Sequence, residues 1–142
     1  MFEKRSSVLD LNLLQLKTDF DQHAFKCKHT LLDHPLFQPQ RMRELAKKLT
    51  TAFYEFQSGN VPINLPKANI IPHSGKTLLE TFDSLEQTSS WIALKNVEQD
   101  LEYKNLLAEV IQNIKNTGHP EVQNGSQYEA FIFLSSAEAI TP

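Results

Sequence analysis

Residues 128–142 read YEAFIFLSSAEAITP (Tyr128–Pro142), and the run Phe131–Leu134 within them is short, apolar throughout and contains two aromatic residues. This composition favours a β-strand that is buried on both faces. A buried strand needs neighbours for its backbone N–H and C=O groups, so earlier elements or a partner must cover it. Only eight residues follow Leu134. We therefore expect the chain to be the first part of a larger assembly.

The composition indicates one globular domain that covers residues 1–142. The chain is 40% hydrophobic and 22% charged, and it has no apolar run of the roughly 18–20 residues that a membrane-spanning helix needs. Its N-terminus lacks the apolar segment of a secretory signal. The single cysteine, Cys27, excludes an intramolecular disulfide. These features predict a cytoplasmic protein without a membrane segment.

Charge gives no indication of a nucleic-acid partner. Residues 1–60 hold nine Lys and Arg against seven Asp and Glu, whereas residues 61–142 hold five against ten, for a net charge of −3. Neither part has the dense basic cluster that nucleic-acid binding needs, and we expect the basic side chains to form a solvated surface.

Local patterns predict helices that alternate with short strands, which is typical of the α+β class. The expected helices begin near Asp10, at Pro39, at Leu78 behind the capping box Thr77-Leu-Leu-Glu80, and after Asp100. Residues 9–21 also show strand-like alternation, so the first helix is an ambiguous case. The expected strands are Phe25–His29, Ala52–Phe56, Trp91–Asn96 and the final run. Residues 61–72, with three prolines, predict an extended apolar loop.

Metal-binding side chains are concentrated near residue 30, but their spacing is not that of a common site. His23, Cys27, His29 and His34 could together be imagined around a tetrahedral zinc ion. Zinc sites usually show two close pairs of ligands, so structural roles are favoured here, with Cys27 as a small buried apolar residue. No nucleophile elbow and no glycine-rich phosphate loop is present in the sequence. The residues alone therefore predict a fold class and no catalytic residue.

Four stretches of the chain match one pattern. They are Phe20-Asp-x3-Phe25-x3-His29-x-Leu-x2-His34-Pro-Leu-Phe37, Val61-Pro-Ile-Asn64, Trp91-Ile-Ala-Leu-Lys-Asn-Val-Glu-Gln-Asp100-x2-Tyr103-x2-Leu-Leu107, and Tyr128–Ser136 continued through Thr141-Pro142. Together they resemble the N-terminal half of bacterial cupin-like proteins related to the JmjC oxygenases. The Trp91 stretch is the most specific part. The departures are small: Leu101 stands where such proteins often have Pro, and Ala24 stands where Pro is expected before Phe25.

The resemblance implies a jelly-roll, or double-stranded β-helix, that binds Fe(II) and 2-oxoglutarate. In such proteins two histidines and one carboxylate hold the iron, and the His-x-Asp pair follows a Thr-Pro dipeptide by one residue. Here Thr141-Pro142 ends the chain, so the iron ligands are expected just beyond Pro142 and no residue of this chain is assigned to them. By resemblance, the Thr141 hydroxyl binds 2-oxoglutarate; a plain strand-edge role for Thr141 stays open.

Two functions are favoured on these grounds, and a zinc-binding regulator built on residues 23–34 is a third possibility. One is the N-terminal portion of an Fe(II)/2-oxoglutarate-dependent oxygenase-like protein, which would need its missing C-terminal half. The other is a non-enzymatic, truncated cupin-like module that acts through protein–protein contact or as a homo-oligomer. The final strand and the apolar loop of residues 61–72 motivate the second, because exposed apolar surface commonly marks an interface.

Overall fold

Helices and strands alternate in the computed structural model, which describes residues 7–57 and 75–139. The α-helices of this part of the chain are α1 (Leu13–Asp19), α2 (Pro39–Lys48), α3 (Leu78–Asp83), α4 (Leu101–Lys115) and α5 (Pro120–Gln123). The strands are β1 (Leu9–Asp10), β2 (Lys28–His29), β3 (Tyr54–Gln57), β4 (Trp91–Leu94) and β5 (Ile132–Ser135). They form two small antiparallel sheets, of orders β1-β2 and β3-β4-β5. The predicted mixture of α and β structure is confirmed.

The chain forms two compact units. Unit 1 combines Met1–Gln38 with Glu98–Tyr128, and unit 2 combines Pro39–Val97 with Glu129–Pro142. Each unit is therefore built from two segments that are distant in sequence. The expectation of one domain over residues 1–142 stays a prediction.

Helix α4 is the longest element of unit 1, and its start is as predicted. The Asp100 side chain accepts a hydrogen bond of 3.1 Å from the Glu102 backbone N–H, which satisfies one of the N–H groups that a helix leaves unpaired at its start. Tyr103 and Leu106 are its buried residues. Beyond its end, Gly118 adopts a φ of +76°, a conformation that glycine tolerates best.

The first helix of unit 1 begins later than predicted. Asn12, and not Asp10, is the N-cap: its Oδ1 accepts hydrogen bonds from the backbone N–H groups of Leu14 at 3.0 Å and Gln15 at 3.1 Å. Asp10 instead lies in β1 and pairs with Lys28 of β2. The prediction of Asp10 as the cap was wrong because Asn12 is an equally good cap, two residues closer to the helix. The strand predicted over Phe25–His29 is shorter, at two residues.

The core of unit 2 lies on one face of the β3-β4-β5 sheet. Ile92 and Leu94 of β4 are fully buried there. The register places Ile92 opposite Leu134 of β5, and Leu134 shares a cleft with Met42 of α2 and Phe82 of α3. The two helices therefore cover this apolar face. Helix α2 starts at Pro39 as predicted, and the buried residues Met42, Leu45 and Ala46 form its stripe.

The capping box at α3 is present as predicted. The Thr77 hydroxyl accepts from the Glu80 N–H at 3.3 Å, and the Glu80 carboxylate accepts from the Thr77 N–H at 2.7 Å. The α-helix ends at Asp83 and continues as a turn of 3₁₀ helix, Leu85–Gln87. The sequence therefore predicts the helix start better than the helix geometry at its end.

The final strand differs from its prediction. In β5 only Ile132 is buried, whereas Phe133 is 48% exposed and the preceding Phe131 is 58% exposed. Burial on both faces was therefore wrong: the α2 and α3 side of the sheet is covered, and the aromatic side chains of β5 point to the other side. The predicted apolar loop of residues 61–72 lies outside the described residues.

Candidate functional site

The second face of the β3-β4-β5 sheet carries the aromatic pair Trp91 and Phe133. The register places Ala93 opposite both Glu55 and Phe133, and Trp91 opposite both Gln57 and Ser135. Cross-strand partners point to the same side of a sheet, so these six residues share one face, which we call the aromatic face. Of these residues, Trp91 and Gln57 are buried, whereas Glu55, Phe133 and Ser135 are exposed.

Trp91 and Phe133 form the centre of the aromatic face. Their ring centroids are 5.7 Å apart and the ring planes meet at 23°, which is a stacked arrangement. Trp91 is only 8% exposed, while Phe133 is 48% exposed. One side of the Phe133 ring therefore packs on Trp91, and much of the remaining Phe133 surface is exposed to solvent.

One edge of the sheet is open along β5. The Ser136 N–H donates to the Ser90 carbonyl at 3.0 Å, and the Ala130 carbonyl accepts from the Val97 N–H at 3.1 Å. Because such bonds alternate along an antiparallel strand, the backbone N–H and C=O groups of Ile132 and Leu134 also point towards β4. The backbone groups of the alternate residues, Phe131, Phe133 and Ser135, point away from β4. Within the residues that the structure describes, β4 is the only strand that pairs with β5. We call this row of groups the open edge.

The chain after β5 is fixed to the start of β4 by serine side chains. The Ser136 hydroxyl accepts a 3.1 Å hydrogen bond from the Ser90 N–H, and the hydroxyls of Ser90 and Thr88 are 2.6 Å apart. Ser90 is completely buried. This network holds the end of β5 in register with β4, so the position of the open edge is well determined.

Gln57 brings a buried polar group to the aromatic face. Gln57 is 6% exposed, and its side-chain Nε2 has no hydrogen-bond partner within the described part of the chain. A buried donor that lacks a partner costs about 1–3 kcal/mol. Glu55 lies two residues earlier in β3, on the same face, and forms an ion pair with Lys95. The face is therefore apolar at its centre and polar along β3.

The candidate metal ligands near residue 30 are engaged locally. His29 Nδ1 accepts a hydrogen bond from the Leu31 N–H at 3.1 Å, and His34 Nδ1 accepts from the Leu36 N–H at 3.2 Å. Cys27 is exposed, so its predicted buried role was wrong; the β1-β2 ribbon beside it is too short to cover it. Among residues 7–57 and 75–139, no three His, Cys, Asp or Glu side chains lie close enough together to hold a metal ion.

The cofactor-binding residue implied by the resemblance, Thr141, lies outside the described residues, as does Val61-Pro-Ile-Asn64. Fe(II) of the facial-triad type requires two histidines and a carboxylate on one side of the ion. The described residues contain no such group and do not fit iron.

Each unit also has an open cleft. In unit 1 a cleft of about 780 Å³ runs along α4, and its polar lining residues include Glu102, Asn105, Glu109, Gln112 and Asn116. In unit 2 a cleft of about 650 Å³ lies between α2, α3 and β5. Ser7 and His34 also line the unit 1 cleft, but the Ser7 hydroxyl contacts the Leu9 carbonyl and Asn113 Oδ1, and His34 Nδ1 accepts from the Leu36 N–H. These described contacts do not form the pair of nucleophile and base that covalent catalysis requires.

An ion pair crosses the unit 2 cleft. Arg43 donates to both carboxylate oxygens of Asp83, at 2.6 and 2.7 Å. The hydrogen bond between them raises the pKa of Arg43 and lowers the pKa of Asp83. This pair links α2 to α3.

The feature that sequence reasoning missed is the open edge with its exposed phenylalanines. The half-buried strand signal is an alternation of apolar and polar residues. Phe131–Leu134 is apolar at every position, so the sequence carries no signal that tells the covered side of this strand from the exposed one.

Within the described ranges, no helix combines the length and the apolar character that crossing a bilayer requires. No protein-family model, no curated protein and no solved structure matches the chain.

Proposed function

We propose that this chain is the N-terminal portion of a cupin-like, JmjC-related Fe(II)/2-oxoglutarate-dependent oxygenase-like protein. In this proposal β5 is the first strand of a jelly-roll, and the iron ligands lie just beyond Pro142. The observation that carries it is the open edge of β5, which can accept the next strand of a larger antiparallel sheet. A jelly-roll is built from such sheets.

A second support comes from the contacts between the stretches on which the resemblance rests. In unit 1, the Tyr103 hydroxyl donates to the Leu36 carbonyl, which joins the Trp91–Leu107 stretch to the Phe20–Phe37 stretch. In unit 2, Trp91 stacks on Phe133, which joins it to the Tyr128–Ser136 stretch. Within each unit, stretches that are distant in sequence and that carry the resemblance are thus in contact, which supports the proposal.

In this proposal the chain has an architectural role. Fe(II) and 2-oxoglutarate belong to the full-length protein, because the described residues do not fit the iron. Anchored by Ser90 and Ser136, β5 would direct the chain towards Thr141, whose hydroxyl would bind 2-oxoglutarate. The partner of this half is then its own C-terminal half. We also propose a cytoplasmic location, because a single cysteine is consistent with a reducing compartment.

The coding sequence downstream of codon 142 tests this proposal directly. We expect a His-x-Asp pair one residue after Pro142, followed by a second histidine further on. The protein that includes that sequence should bind Fe(II) under anaerobic conditions. Once O2 is admitted, it should convert 2-oxoglutarate to succinate and CO2, with one oxygen atom of O2 entering succinate and the other entering the substrate. Thr141→Ala should weaken 2-oxoglutarate binding, and Thr141→Ser, which keeps the hydroxyl, should preserve it. A downstream sequence without the His-x-Asp pair would contradict the proposal.

A second candidate is a cupin-like module without chemistry of its own that acts through protein–protein contact. The exposure of Phe131 and Phe133 beside the open edge favours it, because exposed apolar side chains along an open sheet edge are a template for association. The test is the solution mass of the 142-residue chain together with the binding of a dye specific for apolar surface. A monomer that binds no dye would count against this candidate, and a defined oligomer would support it.

A further inference from the structure

We propose that the open edge of β5 pairs with β5 of a second copy of this chain, so that two three-stranded sheets form one six-stranded sheet. This inference rests on the second proposed function, because it names the partner and the contact of that interaction module. Addition of a strand to an exposed sheet edge is a common mode of protein recognition, in which backbone hydrogen bonds supply affinity and side chains supply specificity.

The positions of the outward-pointing groups define the pairing. Phe131, Phe133 and Ser135 are spaced evenly, with Phe133 at the centre. A two-fold axis that passes beside Phe133 places this residue opposite Phe133 of the second copy, and places Phe131 opposite Ser135 of the second copy. Each of these pairs then exchanges both backbone hydrogen bonds, as antiparallel strands require. A strand whose outward groups are symmetric about its centre can therefore pair with itself without leaving a group unmatched.

The charges of β5 are compatible with this pairing. No residue from Ala130 to Ser136 is charged, so two copies bring no like charges together. Nor does this stretch contain proline or lysine, the residues with which natural edge strands commonly prevent association. The edge is therefore unprotected against a second copy of itself.

The side chains favour the same partner. Phe133 is 48% exposed and lies on the aromatic face, 5.7 Å from Trp91. In the paired sheet, Phe133 lies directly opposite Phe133 of the second copy, and aromatic cross-strand pairs stabilise a sheet. The result is a continuous aromatic row, in which Phe133 of each copy is flanked by its own Trp91 and by the other phenylalanine. Much of the exposed surface of Phe133 is then buried.

A charge-exchange experiment tests this contact. The wild-type chain should sediment at twice its mass of 16.2 kDa. Phe133→Lys and Phe133→Glu should each sediment as monomers, because each places like charges opposite one another across the axis. An equimolar mixture of the two variants should restore the dimer, since Lys then lies opposite Glu. Restoration also shows that the two variants are folded.

A backbone variant provides the second arm. Ser135→Pro removes an N–H that points away from β4, so it should abolish the dimer while the amide protons bonded between β4 and β5 stay protected from hydrogen exchange. Ser135→Ala keeps the N–H and should remain dimeric. A dimer that persists in Phe133→Lys and in Ser135→Pro would overturn the inference and leave the interaction module intact. A wild-type monomer that binds no apolar dye would overturn both, while the oxygenase proposal depends only on the sequence beyond Pro142.

Discussion

The Tyr103 hydroxyl donates a hydrogen bond of 2.5 Å to the backbone carbonyl oxygen of Leu36. Tyr103 is 3% exposed and Leu36 is 7% exposed, so the bond is shielded from water. It connects α4 to the short 3₁₀ helix Pro35–Phe37, which is 67 residues away in sequence. Within unit 1, this buried contact therefore helps to fasten the early segment of the chain to the long helix.

Removing that hydroxyl should destabilise unit 1. In Tyr103→Phe the ring remains and the buried Leu36 carbonyl loses its donor, so we expect the free energy of unfolding to fall by about 1–3 kcal/mol. Urea denaturation followed by circular dichroism measures this. Tyr128→Phe is the matched control: Tyr128 also donates to a backbone carbonyl, that of Gly125 at 2.9 Å, but at a partly exposed site. Equal losses in the two variants would show that burial does not determine the strength of the Tyr103 contact.

The capping box should contribute measurably to unit 2. Thr77→Ala removes the hydroxyl that accepts the Glu80 N–H, and loss of an N-cap of this kind typically costs about 1 kcal/mol. Thr50→Ala is the control, because Thr50 occupies the N-cap position of a 3₁₀ helix without any side-chain capping hydrogen bond. We expect little change there. A loss in Thr50→Ala as large as that in Thr77→Ala would contradict the assignment of the effect to capping.

Glu80 should also make stability depend on acid. Hydrogen bonds from the Thr77 backbone N–H and then from the Thr77 hydroxyl lower the pKa of the Glu80 carboxyl. A group whose pKa is lower in the folded state stabilises the fold above its unfolded pKa, which is about 4.3 for glutamate, and this stabilisation is lost as the pH falls through the folded pKa.

Glu80→Gln keeps a hydrogen-bonding side chain but removes the titration. The difference in unfolding free energy between the wild type and this variant should be constant near neutral pH and should shrink below about pH 4.3. Urea titrations over that pH range measure it. A difference that does not change with pH would exclude Glu80 as a source of acid sensitivity.

Local chemistry explains which parts of the fold were predictable. The capping box at Thr77, the cap at Asp100 and the proline at the start of α2 each act through groups within four residues in sequence, so the sequence contains the whole cause. The same local argument predicted the wrong N-cap for the first helix, because Asp10 and Asn12 are both suitable caps. The outcome there depended on Asn113, whose Oδ1 accepts the Leu9 N–H and holds the β1 segment extended.

The candidate site depended on neighbours that are distant in sequence. Whether Phe133 is buried is determined by which side of β5 the helices α2 and α3 cover, and nothing in residues 128–142 specifies that. Cys27 is exposed for a similar reason, because the β1-β2 ribbon beside it has only two residues in each strand.

The stack of Phe133 on Trp91 should be visible in fluorescence, since Trp91 is the only tryptophan of the chain. Trp91 is 8% exposed, and Phe133 covers one side of its ring. Phe133→Ala should admit water to the indole and shift its emission to longer wavelength. Phe131→Ala removes a phenylalanine of similar exposure from the same strand and should leave the emission nearly unchanged. If the two variants gave the same spectrum, Phe133 would not be the residue that shields Trp91, and the aromatic row proposed for the dimer would lose its central contact.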